Sequence, residues 1–281
     1  DGNDPLEADT QADVITGVWG SDSVHGGAGA DMLYGEGGGD SLLGADGNDT
    51  LHGADGSDTL EGGAGDDLII GGWEVDYAYG DAGMDTFLTS ALKGQAQLTF
   101  TPTWLNVRGP EGFDYLVAFE RVAFLDGTLH LDPADAAGQV WRLYGAAFGR
   151  GAETTGLTNW VAALDASATT LTGVANQFLG SAEFGQRYGQ LDDAGFVTRL
   201  YANVLGRAPD AAGLYAWTAQ LARGASRAEV LLGFSESVEY KAATIASTGR
   251  LWTVDPEAMD ALRAYATILD RLPDAGGLAN W

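Results

Sequence analysis

The 281-residue sequence contains no cysteine, which excludes a disulfide framework, a zinc-thiolate site and a cysteine nucleophile. Cations are scarce, with 14 Lys and Arg against 40 Asp and Glu, for a formal charge of −26. A surface of that sign repels nucleic acid and anionic lipid, so neither is an expected partner. No apolar run approaches the roughly 18 residues of a membrane span. Histidine is limited to His25, His52 and His130, each expected on the solvated surface, and HExxH, GxSxG and Walker sequences are all missing. With no catalytic constellation in view, the chain is expected not to be an enzyme. Hydrophobic residues still make up 45%, enough for packed cores, and the length allows two or three domains.

The shortage of cations is uneven. Residues 1–90 hold twenty of the 40 acids and twenty-one of the 42 glycines, yet the first Lys or Arg is Lys93. A stretch so charged, with no internal cation, does not compact on hydrophobicity alone. It needs cations from outside.

What fills this stretch is a repeat. Asp stands at positions 4, 13, 22, 31, 40, 49, 58, 67, 76 and 85, a spacing of nine. Two residues after each Asp comes an apolar or small side chain, from Leu6 and Ile15 through Leu33, Leu42, Leu51 and Leu60 to Ile69, Ala78 and Phe87. Glycine recurs five residues before the Asp, as at Gly26, Gly35, Gly44, Gly53 and Gly62, and again two before it, as at Gly29, Gly47, Gly56 and Gly65. Ala8, Gln11 and Glu74 break the glycine pattern. The unit is G-x-x-G-x-D-x-U-x, where U is the apolar residue. Six Gly-rich residues turn the chain, and three more are expected to form a short strand with the middle side chain inward. Two units close a coil of eighteen residues, so coils stack as two parallel sheets around a thin core. The aspartates then stack in two columns, Asp4, Asp22, Asp40, Asp58, Asp76 and Asp13, Asp31, Asp49, Asp67, Asp85. Bare carboxylates on coils ~4.8 Å apart repel. Ca²⁺, which takes 6–8 oxygen ligands in flexible geometry, answers that repulsion better than Mg²⁺.

Residues 1–90 closely resemble the RTX family, the hemolysin-type calcium-binding repeats that fold as a parallel β-roll. The resemblance implies ions held between consecutive loops of one column by Asp carboxylates and loop carbonyls. Carried over, the metal ligands are Asp13, Asp22, Asp31, Asp40, Asp49, Asp58, Asp67, Asp76 and Asp85, with Gly26, Gly29, Gly35, Gly44, Gly47, Gly53, Gly56, Gly62 and Gly65. Roughly five to seven Ca²⁺ ions are expected, the end sites being weakened by Ala8, Gln11 and Glu74.

From residue 91 to 137 the beat of nine gives way to β-type alternation, with Asp126-Gly127 between apolar runs marking a hairpin. This segment is expected to cap the open edge of the roll. Beyond it, VWRLYGAAFGRGAETTGLTNWVAAL (140–164) aligns with VTRLYANVLGRAPDAAGLYAWTAQL (197–221), and ALRAYATILDRLPDAGGLANW (261–281) begins a third copy. Copies are expected over 138–190, 191–250 and 256–281, each with three helices, and Ser226-Arg227-Ala228-Glu229 fits a capping box. These copies look like the all-helical module DUF4214, which accompanies RTX repeats in bacterial extracellular proteins. Their shared signature sets Arg150, Arg207 and Arg271 three residues before Glu153, Asp210 and Asp274, followed by Gly156, Gly213 and Gly277 and then Trp160, Trp217 and Trp281. Two readings stand: a pocket in which Arg and Trp hold a sugar or anion, or a scaffold in which Asp caps a helix while Trp fills the core. The scaffold carries more weight, because the feature repeats in every copy.

The fold class is therefore multi-domain, a parallel β-roll with a β-strand cap followed by an all-α repeat domain. The expected function is that of a calcium-folded, non-catalytic module of an extracellular or cell-surface protein, with the type I secretion machinery as the partner that the RTX resemblance implies. The chain opens inside a repeat and closes in an unfinished helical copy, as a piece of a longer protein would. Two alternatives remain open: the accessory region of a secreted hydrolase or lyase, and an adhesin or surface-layer component that binds cell-surface polysaccharide through its helical copies.

Overall fold

The computed structural model describes residues 2–255. It contains two compact units, the first formed by the chain up to Leu131 together with Val254 and Asp255 and the second by Asp132–Thr253; the third helical copy, with Arg271, Asp274, Gly277 and Trp281, lies outside the described residues.

In the first unit, ten strands follow the repeat: β1 (Pro5–Glu7), β2 (Val14–Trp19), β3 (Ser23–Ala28), β4 (Met32–Gly37), β5 (Ser41–Asp46), β6 (Thr50–Asp55), β7 (Thr59–Ala64), β8 (Leu68–Trp73), β9 (Tyr77–Ala82) and β10 (Thr86–Leu88). Odd-numbered strands pair in parallel in one sheet and even-numbered strands in the other. Residues eighteen apart are opposite each other, as with Leu33, Leu51 and Ile69, and with Val24, Leu42, Leu60 and Ala78. This is the parallel β-roll. Its core is a single row of apolar side chains per sheet, all nearly inaccessible from Val24 to Phe87. Most strands have six residues instead of the expected three, because pairing continues through the first half of each glycine loop, where Gly26 and its equivalents turn inward beside the apolar residue.

The cap continues both sheets. β11 (Gln97–Phe100), β12 (Leu105–Arg108) and β13 (Phe113–Val117) form an antiparallel meander, and β13 pairs in parallel with β9. β14 (Arg121–Phe124) pairs in parallel with β10, and β15 (Gly127–His130) returns from it through the expected hairpin at Asp126. Leu116 and Val122 thereby extend the core rows beyond Ala78 and Phe87. His25 is exposed and His52 is half-buried against Tyr34. His130 corrects the expectation of a solvated surface. It is 2% exposed, because β15 is covered on both faces at its end.

The second unit has eight helices: α1 (Ala136–Phe148), α2 (Thr154–Asp165), α3 (Leu171–Leu179), α4 (Ala182–Tyr188), α5 (Asp193–Leu205), α6 (Ala211–Ala222), α7 (Arg227–Ser235) and α8 (Val238–Thr248). Strand β16 (Leu251–Val254) comes after them in the chain. Each of the two described copies has four helices, not three. The expected third helix is divided at Ser181 in the first copy and Ser237 in the second, where the serine hydroxyl accepts from the N–H of Phe184 or Tyr240 and starts a new helix. Ser226 and Glu229 make the expected capping box. Val140, Leu143, Phe178, Leu200 and Leu231 lie at the centre of the core.

Candidate metal centre

Each glycine loop ends by delivering an Asp into one of two columns. The side chains from Asp22 to Asp85 are at most 3% exposed, a degree of burial that carboxylates rarely reach without a partner. One oxygen of each is accounted for. The backbone N–H of an Asp donates to Oδ1 of the Asp one coil further on, at 2.7–3.0 Å, from Asp4 to Asp22, Asp13 to Asp31 and so on to Asp67 and Asp85. The other oxygen is not. Oδ2 of Asp22, Asp31, Asp40, Asp49, Asp58, Asp67, Asp76 and Asp85 is buried without a hydrogen-bond donor. Asp13, nearer the open end, is only half-buried, and its Oδ2 accepts from the Asp9 N–H at 3.3 Å.

The two glycine positions have different tasks. At the first, a Cβ on Gly26 would lie 2.6 Å from Asp31 Oδ2 and 3.0 Å from the carbonyl oxygen of Gly44 on the next coil. Gly35, Gly44, Gly53 and Gly62 are closed off by their own aspartates in the same way. At the second, Gly47 has φ +141° and rests on the carbonyl of Gly29, while its N–H donates to Ala64 at 2.7 Å. Gly29, Gly56 and Gly65 repeat that conformation.

The residues fit a hard cation. Every donor in reach is an oxygen, half of each carboxylate is unused, and glycine carbonyls face the same narrow space. Among the described residues no three carboxylate or imidazole side chains converge as a metal cluster. The donor set is therefore one of few carboxylates completed by backbone oxygens, which suits Ca²⁺ and not a transition metal.

Comparison with known families agrees with this geometry. Residues 1–33, 16–51 and 52–87 match the family described as RTX calcium-binding nonapeptide repeat (4 copies). The roll is similar to the RTX repeats along its whole length. The match indicates calcium binding in a protein of the secreted type. Residues 175–244 match the domain of unknown function DUF4214, a span that runs from α3 of the first copy through α8 of the second. No curated protein matches the chain. Among solved structures, the extracellular lipase LipA from Serratia marcescens is similar at 18% identity and a TM-score of 0.23, over 38% of this chain. The chain spans 18% of that lipase's length.

Burial, and after it the negative neighbour in the column, push six of the column aspartates upward. The rise is present at Asp40 and Asp49, reaches about 6 at Asp58 and Asp67, and about 7 at Asp76 and Asp85. Desolvation is the larger cause throughout, and the Asp one coil back adds to it.

Two column members escaped the sequence reading. Asp114 stands two residues before Leu116, which lies opposite Ala78, so it continues the column above Asp76. Glu120 stands two residues before Val122, and its Oε2 accepts from the Asp85 N–H at 2.8 Å, closing the other column. A signal for the first was available. Gly109-Pro110-Glu111-Gly112-Phe113-Asp114-Tyr115-Leu116-Val117 spells G-x-x-G-x-D-x-U-x, displaced from the beat of nine by the intervening meander.

In the helical unit the repeated signature is used internally. Asp210 accepts from the Gly213 N–H at 2.6 Å and caps α6. Glu153, at the same place in the first copy, makes no such bond. Arg150 forms a two-pronged pair with Glu183 at 2.9 Å and lies over the Tyr144 ring, and Arg207 lies over Tyr201 in the same manner. Trp160 packs on Phe178 and Trp217 on Phe234. These are contacts of the kind a scaffold makes, with Arg207 itself exposed. No described helix is long and apolar enough to cross a membrane.

Proposed function

We propose that this chain is a non-catalytic module of a secreted protein that folds when calcium fills the two aspartate columns. The observation that carries the reading is the row of buried, donorless Oδ2 atoms on eight aspartates. Asp22 to Asp85 and the loop carbonyls of Gly26, Gly35, Gly44, Gly53 and Gly62 are the ligands, with Gly29, Gly47, Gly56 and Gly65 fixing the turns. Asp13 ligates at the open end and more weakly. The gaps between buried members of the columns accommodate about six ions.

Folding and binding are then one process. The core offers a single large apolar side chain per nine ordered residues, too little to offset chain entropy and the repulsion of stacked carboxylates. Calcium bound only by the folded roll stabilises it by mass action. Where calcium is scarce, as in a cytoplasm, residues 1–90 stay expanded and suit passage through a type I secretion channel. At extracellular calcium the roll closes. The pairing of Arg150 with Glu183 and the packing of Trp160 and Trp217 on Phe178 and Phe234 speak against a sugar pocket in the helical signature, so the adhesin reading has less support than the module reading.

Circular dichroism of the full chain during calcium titration from chelator tests the proposal. A cooperative gain of β signal is expected. A chain whose β content is the same in chelator and in calcium excludes it.

A further inference from the structure

We infer that Asp76 and Asp114 hold a further calcium ion that fastens the cap to the roll, an inference that rests on the RTX aspartates being calcium ligands. The repeat match ends at residue 87, yet the geometry of the columns does not. Tyr115 donates to the Asp76 carbonyl at 2.8 Å, as Tyr77 does to Asp58 at 2.9 Å. The Glu74 N–H donates to the Glu111 carbonyl at 3.0 Å, as Gly38 does to Asp55 at 2.8 Å. Gly112 rests on the Glu74 carbonyl with no space for a Cβ, as Gly56 rests on Gly38. From Glu111 to Val117 the cap thus occupies the place of the next coil.

The side chains continue the pattern as well. Asp114 is 6% exposed and Asp76 is fully buried. Oδ1 of Asp114 and Oδ2 of Asp76 both lack a donor. The register of β9 and β13, with Tyr115 opposite Tyr77 and Leu116 opposite Ala78, sets Asp114 over Asp76 as Asp76 is set over Asp58. Two buried carboxylates on adjacent coils require a proton or a cation between them. Oxygen-only donors, a short glycine-bearing loop and continuity with three similar gaps between buried members of the same column favour Ca²⁺.

The functional consequence is an ordered closure. An ion shared by β9 and β13 makes docking of the meander depend on calcium, so the cap covers the growing edge of the roll only after the last coil has formed. Edge protection is then switched on together with folding.

Native mass spectrometry of the full chain in calcium counts the ions directly. Asp114→Asn is expected to bind one ion fewer than the wild type. In hydrogen exchange, the amides of residues 113–117 are expected to lose calcium-dependent protection, while those of residues 41–64 keep it. Asp114→Ser, smaller and also neutral, gives the same count if the amide packs badly. A folded variant with the wild-type number of ions overturns the inference while leaving the calcium-bound roll intact, because the proton alternative then holds at this pair. A wild-type chain that binds no calcium overturns both.

Discussion

The backbone N–H of Asp58 donates to Oδ1 of Asp76 at 3.0 Å, while Oδ2 of the same Asp76 carboxylate has no donor at all. One oxygen serves the architecture and the other is left for a ligand. Because this division recurs along both columns, the roll's backbone register and its metal sites are specified by the same residues.

Substituting one column member separates the two roles. Asp58→Asn keeps an oxygen that accepts the Asp40 N–H and removes the charge. The roll is expected to form in saturating calcium, with its folding midpoint shifted to calcium concentrations at least about tenfold higher. Calcium titration followed by circular dichroism reads the shift, and an unchanged midpoint would remove Asp58 from the ligand set.

Protons and calcium compete for the same oxygens, and the sign follows from the raised values. Asp58 and Asp67 titrate at about 6 and Asp76 and Asp85 at about 7 in the folded, metal-free roll, against about 3.9 for an unfolded Asp. Between those limits the folded state binds more protons, so its stability declines as pH rises from about 4 through 7 and is lowest above that. In chelator the chain should therefore show more β signal at pH 5 than at pH 8. Calcium binding near pH 6 should release protons, seen as a buffer-dependent heat in titration calorimetry. Equal spectra at both pH values in chelator contradict this.

Neighbouring loop positions should respond in opposite directions. Gly47→Ala places a Cβ against the Gly29 carbonyl at φ +141° and should cost about 2–4 kcal/mol. Ala45 already sits at φ +85°, a region that costs an alanine about 1 kcal/mol. Ala45→Gly should leave the roll equal or up to about 1 kcal/mol more stable. Thermal melts in saturating calcium compare the pair, and a destabilised Ala45→Gly roll would refute the strain argument.

How much of this was legible in the sequence depended on periodicity. The spacing of Asp4 through Asp85 carried the coil length, the two columns and the parallel register, because one residue type at one period leaves little freedom in three dimensions. Asp114 obeys the same rule in space but not in sequence, since the meander of β11 and β12 intervenes, and a search by fixed interval passes over it. His130 was misjudged for a related reason: alternation along β15 predicts one open face, and only the tertiary fold reveals that its end has none. In the helical unit Ser181 and Ser237 are short-range breaks inside apolar runs, and the hydrophobic pattern alone reads through them.

The largest fully buried side chain of the helical unit is charged, and it supplies the last prediction. Arg142 is 1% exposed. Its guanidinium grips Glu236 through Nε and Nη2 at 3.0 and 2.7 Å, and Nη1 donates to the Pro133 carbonyl. Glu236 has a second cation, Lys241, at 3.0 Å and is itself partly solvated. The two halves of the pair are therefore unequal. Arg142→Met removes the buried charge, fills most of the volume and leaves Glu236 paired with Lys241, so the cost should be only about 1 kcal/mol. Glu236→Gln strands a buried guanidinium without its anion and should cost about 3 kcal/mol, although it alters the more exposed partner. Thermal unfolding followed by the helical signal at constant calcium ranks the two variants. The reverse order would mean that Arg142 contributes through its packing and its bond to Pro133 more than through its charge.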